Sequence, residues 1–333
     1  MLDGLDQVEW SRLKHAYGAA EDVPDLIRAL TSRSADERRA AWHELYGTLW
    51  HQGTIYEATL HAVPFFIELA ASDETPDRGE ILSYLGALAD GSSYLDVHQD
   101  ALARIRGRAL SEEELARLEV ELGWVAQTRS AVKSAEALYF DSLRSGEHQI
   151  CCAAAYILSR FPEEGERYWT PLRRRYEEAG SDELVKCGIA MLTKEFSAKG
   201  TSDVRWLREA FAREKSRSVC LALAVSIALA DEYQDDELAV LIANLIPDDE
   251  IQEAYGVQPW NAGQPDWDTI AVLCASKRGR HALVARFNEL FLLGGSKDQL
   301  DYVRYVLRGR IEDGMIGGLS AQPMGLLTMP GDG

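Results

Sequence analysis

The chain has 333 residues, 46 % of them hydrophobic and 27 % charged, an ordinary balance for a folded soluble protein. Its formal net charge of −19 opposes a phosphate backbone as ligand, because nucleic-acid binders carry the opposite sign. No apolar run reaches the roughly 18 residues that a bilayer span needs, and the acidic start, Met-Leu-Asp-Gly-Leu-Asp, lacks the basic and apolar regions of a secretory signal.

Five cysteines, Cys151, Cys152, Cys187, Cys220 and Cys274, form no Cys-x-x-Cys pair and sit among small apolar residues. That setting suits reduced, buried thiols and a cytoplasmic location.

Residues 1–20 read as a short helical cap with Leu5, Val8, Leu13 and Tyr17 on its inner side. A phrase that occurs twice follows. Val-Pro-Asp-Leu-Ile-Arg-Ala-Leu begins at Val23, and Val-Pro-Phe-Phe-Ile-Glu-Leu-Ala begins at Val63, forty residues later. Arg38 matches Arg78 and Leu45 matches Leu85 at the same offset. A self-match at this period signals stacked helical repeats.

Within the first copy, Pro24 suits a helix start, and Ser34 with Glu37 has capping-box spacing. The spacing predicts a helix from Ala35 to His51, ended by Gly53 in a left-handed cap. Thr54 and Glu57 form a second box and open a helix over 55–71, which Pro64 should kink. Residues 73–77 make a turn before a helix over 78–89.

Residues 91–109 are less regular and read as a loop with a short helix. Ser111 and Glu114 form a third capping box. It opens a long helical pattern to about Leu143, with a break near Thr128 and Leu115, Leu118, Leu122, Val125, Ala135, Leu138 and Tyr139 as core positions. Ile150, Val185 and Val219 then head three similar helices. Small residues recur in each, at Ala153, Gly188 and Ala222, and would let neighbouring helices approach closely. Their second helices cover 167–179, 204–213 and 236–246, the last with Leu238, Leu241, Ile242 and Leu245 inward. Residues 254–267 carry two prolines and two glycines and read as a long, functional loop. Helices over 281–293 and 298–310 precede a Gly/Pro-rich tail, 311–333.

A proline in the first helix, a short acidic turn and an arginine at the start of the second helix together resemble the HEAT/armadillo-like repeat. Trp50-His-Gln-Gly-Thr-Ile-Tyr-Glu-Ala-Thr, Val63-Pro-Phe-Phe-Ile and Pro259-Trp-Asn-Ala-Gly resemble phrases of a bacterial HEAT-repeat family. The resemblance covers most of residues 20–310 and carries architecture only. It implies an all-α, right-handed α-solenoid over residues 21–310 whose stacked pairs share one core.

Two constellations stand out. From Asp231 to Ser276 there are eleven acidic residues and no Lys or Arg. Here Asp231, Glu232, Asp235, Asp236 and Glu237, with Trp260, Asn261 and Trp267 in the adjoining loop, read as a protein-binding face for a basic partner. An immunity-type inhibitor of a basic toxin such as a nuclease fits that charge. The same acids also serve simply as helix-start caps and solubility charges. EF-hand spacing is absent.

The second constellation is Trp42, His43, Tyr46, Trp50, His51 and Tyr56. It reads as a pocket for a small ligand or an enzyme, with His51, Glu57 and His61 as conceivable metal ligands. Large aromatics at helical spacing are more often core, and no His-Glu-x-x-His motif is present. The basic runs Arg173–Arg175 and Lys277–Arg280 read as exposed helix faces or ends. No nucleophile elbow, Walker A or dinucleotide fingerprint occurs. The expectation is therefore a scaffold without catalytic residues, cofactor, metal or nucleic acid, and with no membrane contact.

Overall fold

The two forty-residue phrases become two helix pairs. In the computed structural model, which describes residues 2–231, 235–245, 249–260, 267–275 and 277–292, the first pair is α1 (Val23–Ala29) and α2 (Ala35–Thr48). The second is α3 (Glu57–Ala71) and α4 (Arg78–Ala89). Pro24 lies in the first turn of α1, where its missing N–H costs nothing. Pro64 lies inside α3 with its ring exposed, so one intrahelical bond is absent on the outer side.

The helix starts differ in part from expectation. The Ser34 hydroxyl accepts the Glu37 amide at 3.4 Å, but the Glu37 carboxylate takes the Ser32 hydroxyl instead of reaching back to Ser34. Thr54 does not cap α3. It belongs to a hairpin of β3 (Trp50–His51) and β4 (Thr54–Ile55), turned by Gln52 and Gly53 at φ 52° and 90°. Two positive φ values in a two-residue turn are what a type I′ hairpin demands, and Gly53 serves that turn rather than a helix cap. The cap of α3 is Tyr56, whose amide donates to Thr59 Oγ1 at 3.0 Å.

Residues 2–20 hold no α-helix. Two 3-10 turns, Leu5–Gln7 and Trp10–Arg12, precede a hairpin of β1 (Lys14–His15) and β2 (Gly18–Ala19). Trp10 Nε1 donates to the Leu5 carbonyl at 2.8 Å, folding the chain back before a helical ladder can propagate. Leu5 is buried as expected, whereas Tyr17 is exposed.

The region read as irregular contains a full helix, α5 (Tyr94–Arg106), closed by Gly107 at φ 67°. It packs on α6 (Glu112–Lys133). Buried Glu121 of α6 joins them: it accepts from Ser93 Oγ at 2.8 Å, Leu95 N at 2.9 Å and Arg117 Nε at 2.9 Å. The third capping box is complete, with Glu114 N to Ser111 Oγ at 3.3 Å and Ser111 N to Glu114 Oε2 at 2.8 Å. The Arg108 guanidinium and that amide hold the Glu114 carboxyl down at about 2. The break falls at Ser134 and Ala135, not Thr128, before α7 (Glu136–Ser142). Leu115 and Leu122 are 49 % and 42 % exposed; the inward side of α6 is Glu121, Thr128 and Val132.

The array continues with α8 (His148–Ser159), α9 (Glu166–Glu178) and α10 (Glu183–Ala198). Helix α4 runs against α8 at very short range. A Cβ at Gly79 would lie 2.8 Å from Gln149 Cβ, and one at Gly86 would lie 2.5 Å from the Tyr156 ring. The two glycines are seven residues apart, two turns along one face. The small residue expected at Gly188 plays the same part, since a Cβ there would sit 2.7 Å from Cys152 Sγ.

The chain divides into two compact units. Unit one is residues 1–192 together with 258–260. Gln258 is buried in it, with Nε2 donating to the Leu184 carbonyl at 3.2 Å. Unit two is residues 193–257 and 261–333. Its described helices are the end of α10, α11 (Val204–Arg213), α12 (Arg217–Ala230), α13 (Asp236–Leu245), α14 (Asp249–Gly256), α15 (Trp267–Ala275) and α16 (Lys277–Leu292). Helix α12 is buried on nearly every side and forms the centre. On α13, Leu238 and Ile242 face inward as expected, but Leu241 is exposed. The expected loop starts later than Ala254, because α14 continues to Gly256, and α16 starts at Lys277 instead of His281. The helix expected over 298–310 and the tail 311–333 lie outside the described residues. Among the described residues strands occur only as the two short hairpins, and no helix is long and apolar enough to cross a membrane.

Candidate functional site

Helical spacing on α2 places Trp42, Tyr46 and Leu45 toward α3 and α4. Trp42 stacks on Phe66 at 6.5 Å and meets Tyr84 edge-on at 5.3 Å; Tyr46 meets Tyr84 at 4.7 Å. Tyr84 donates to the Leu45 carbonyl at 2.7 Å. Such tilted and edge-to-face pairs are normal core packing. Trp50 lies beside this core and donates Nε1 to the Ala87 carbonyl at 3.1 Å.

His43 is exposed on the far side of α2. His51 Nδ1 lies 3.1 Å from the Gly47 carbonyl and 3.3 Å from the Tyr17 hydroxyl. The Tyr56 hydroxyl pairs with Thr54 Oγ1 at 2.9 Å, and burial pushes it up from the usual phenol value. Trp50, His51 and Tyr56 therefore belong to the hairpin and its packing, each with a protein partner. His61 is exposed on α3, and among the described residues no three His, Cys, Asp or Glu side chains converge as a metal set.

Trp42, on its other side, reaches an open concavity. A groove of about 840 Å³ runs along the N-terminal ends of α2, α4 and α8. Arg38, Arg39, Trp42, Asp77, Arg78 and Glu80 form much of its wall. Arg38, the recurring arginine of the first pair, donates Nε to Asp77 at 2.6 Å and Nη1 to the Ser32 carbonyl at 2.9 Å. Arg78, its counterpart, donates Nε to the Ala70 carbonyl at 3.1 Å and Nη1 to Asp73 at 2.5 Å. Arg39 is paired with Asp36 at 2.9 Å. Glu80 accepts from the Tyr46 hydroxyl at 3.3 Å, and its burial pushes the carboxyl up from the usual value. Asp77 sits at φ 51°, ψ 37°, a left-handed conformation that Asp tolerates better than most residues.

The acidic constellation lies elsewhere. In unit two, Asp231 closes α12 and Asp235 precedes α13. Asp235 Oδ1 accepts the amides of Glu237 and Leu238 at 3.1 and 3.0 Å, a helix cap. The Arg208 guanidinium is gripped by Asp231 and lies 3.7 Å from Asp235. Glu237, Asp249, Glu250 and Glu253 are exposed. Trp260 belongs to unit one, where it stacks on Tyr156 at 5.2 Å and 13°. Glu232 and Asn261 lie outside the described residues. Asp236 and Trp267 are placed only by their backbones, at the first positions of α13 and α15.

The geometry defines a mostly helical protein with a polar groove in its first unit and exposed acids on the described helices of its second. No protein-family model matches the sequence, and no curated protein is significantly similar to it.

Proposed function

We propose that the chain is a HEAT-like, right-handed α-solenoid that binds a basic protein partner through the acids of residues 231–253, and that it acts by binding and not by catalysis. The observation that carries this reading is the treatment of Arg208. Asp231 and Asp235 already hold one guanidinium, while Glu237, Glu250 and Glu253 stay exposed on the following helices. Carboxylates arranged in this way steer a cationic surface into contact and accelerate association more than they deepen affinity. The recurring Arg38 and Arg78, with the Arg38–Asp77 link between successive helix pairs, support the repeat architecture. A small basic toxin neutralised by this protein is the sharpest form of the reading.

The test begins with affinity capture from the native host at low salt and at about 0.5 M salt, where the Debye length falls to about 4 Å. The captured protein is then purified and titrated against the parent chain and a variant carrying Glu237→Gln, Asp249→Asn, Glu250→Gln and Glu253→Gln. A basic partner whose association slows in the variant and at high salt is the expected result. A partner bound equally by parent and variant at both salts would sink the charge-driven reading.

A further inference from the structure

The basic run around Arg174 is not spent on surface ion pairs alone. Helix α9 presents Arg167, Pro171, Arg174 and Glu178 at spacings of four, three and four, one face of a helix. Opposite stand Phe140 of α7, Leu143 at its C-terminal end and Arg144 just beyond. Together with Arg175 these residues enclose a pocket of about 390 Å³. That volume falls in the range of small-molecule sites and is far too small for a nucleic-acid duplex.

The pocket reverses the sign of the protein around it. Four guanidiniums and one carboxylate line it in a chain of net charge −19. Two of the four are partly neutralised: Arg144 by Asp141, and Arg167 by Glu136 and Glu164. Arg175 donates Nε to the Leu143 carbonyl at 3.1 Å, which fixes its guanidinium in the wall. Arg174 has no hydrogen bond or ion pair among the described residues, although Glu178 is one turn away on the same helix. Phe140, Leu143 and Pro171 supply an apolar side to the same space.

We propose that this pocket binds a small phosphate monoester. Its dianionic head would take Arg174 together with Arg144 and Arg175, since planar guanidiniums match phosphate oxygens in pairs. Its organic group, flat or short and apolar, would lie against Phe140 and Pro171. The head group alone leaves much of the space unfilled, so the ester should bind better than inorganic phosphate. The inference is independent of the acidic residues of unit two and stands or falls separately from the protein-binding reading.

Titration calorimetry at low salt with phenyl phosphate tests it, with phenol and inorganic phosphate as the two halves of the ligand. Phenyl phosphate should bind more tightly than either half. Arg174→Ala should weaken it about tenfold or more, the scale of losing one charge-assisted bidentate contact. Phe140→Leu should narrow the advantage of the ester over inorganic phosphate. Arg205→Ala, an exposed arginine of α11 paired with Glu209, should change nothing. Unchanged circular dichroism and melting of each variant would establish that the fold survives. No heat from phenyl phosphate at millimolar concentration, equal affinity for parent and Arg174→Ala, or an equal loss in Arg205→Ala would each overturn the proposal.

Discussion

Arginines line two concavities of the first unit, and the difference lies in what each arginine is bonded to. In the groove at the ends of α2, α4 and α8, Arg38 and Arg78 are only 14 % and 18 % exposed, and each is tied to a backbone carbonyl and a carboxylate. These guanidiniums hold one helix pair to its own turn and, through Asp77, to the next pair. In the pocket between α7 and α9, Arg174 is exposed and tied to nothing described. A count of basic residues, three in the groove against four in the pocket, would hardly separate the two. Subtracting the internal pairs separates a structural set from one with donors left for a ligand.

The largest test of that contrast removes the support of the structural groove. Gly86→Val would drive a side chain into the Tyr156 ring where even a Cβ lies at 2.5 Å. A loss of about 3 kcal/mol is expected from chemical denaturation, and the same unfolding should be seen at the α4–α8 contact by any local probe.

Next come the arginines themselves. Arg38→Ala should cost about 2 kcal/mol, since it breaks a carbonyl bond and a carboxylate bond at a mostly buried site. Arg174→Ala should shift stability by less than about 0.5 kcal/mol. Equal losses in the two melts would erase the distinction.

Asp77→Asn sharpens it from the other side. Asn accepts the left-handed conformation but removes the charge opposite Arg38. A loss of about 1 kcal/mol is expected, together with newly detectable binding of inorganic phosphate at the groove in an Arg174→Ala background. A groove that still ignores phosphate would mean that charge pairing was not what silenced it.

The smallest effect concerns Glu80. Burial raises its carboxyl above the unfolded value, so the folded state holds the proton more tightly. Stability from this group is present at acid pH and is lost as pH rises through the raised value. Glu80→Gln removes that loss. The melting difference between variant and parent should therefore favour the variant more at pH 7 than at pH 4; a constant difference would contradict it.

Much of the helical order was legible in the chain. The recurrence of Pro24 with Pro64 and of Arg38 with Arg78 marked two real pairs, and the Ser111–Glu114 box marked the start of α6 to the residue. What failed was local and physical. Thr54 looked like a cap, but Gln52 and Gly53 form a turn tight enough to take it into a hairpin two residues long, too short to leave a period. Leu115 and Leu122 looked like core, but α6 turns Glu121 inward, because that carboxylate has three donors waiting. Of the aromatic and histidine cluster, Trp42 lines the groove, whereas the residues around Trp50 end in the hairpin. The Arg174 pocket carried half a signal: Arg167, Pro171, Arg174 and Glu178 share a helical face in the sequence. Phe140, Leu143 and Arg144 come from about thirty residues earlier, and only folding brings the halves together.

The Glu121 carboxylate has a consequence of its own. Helix α5 draws two donors of its N-terminal turn, Ser93 Oγ and Leu95 N, to an acid on a different helix. Its fraying is thereby coupled to α6 instead of being a private matter of its own first turn. In amide hydrogen exchange, the start of α5 and the middle of α6 should open together as one cooperative element. A Glu121→Ala chain should then lose protection at both places at once, though the two lie more than twenty residues apart in sequence.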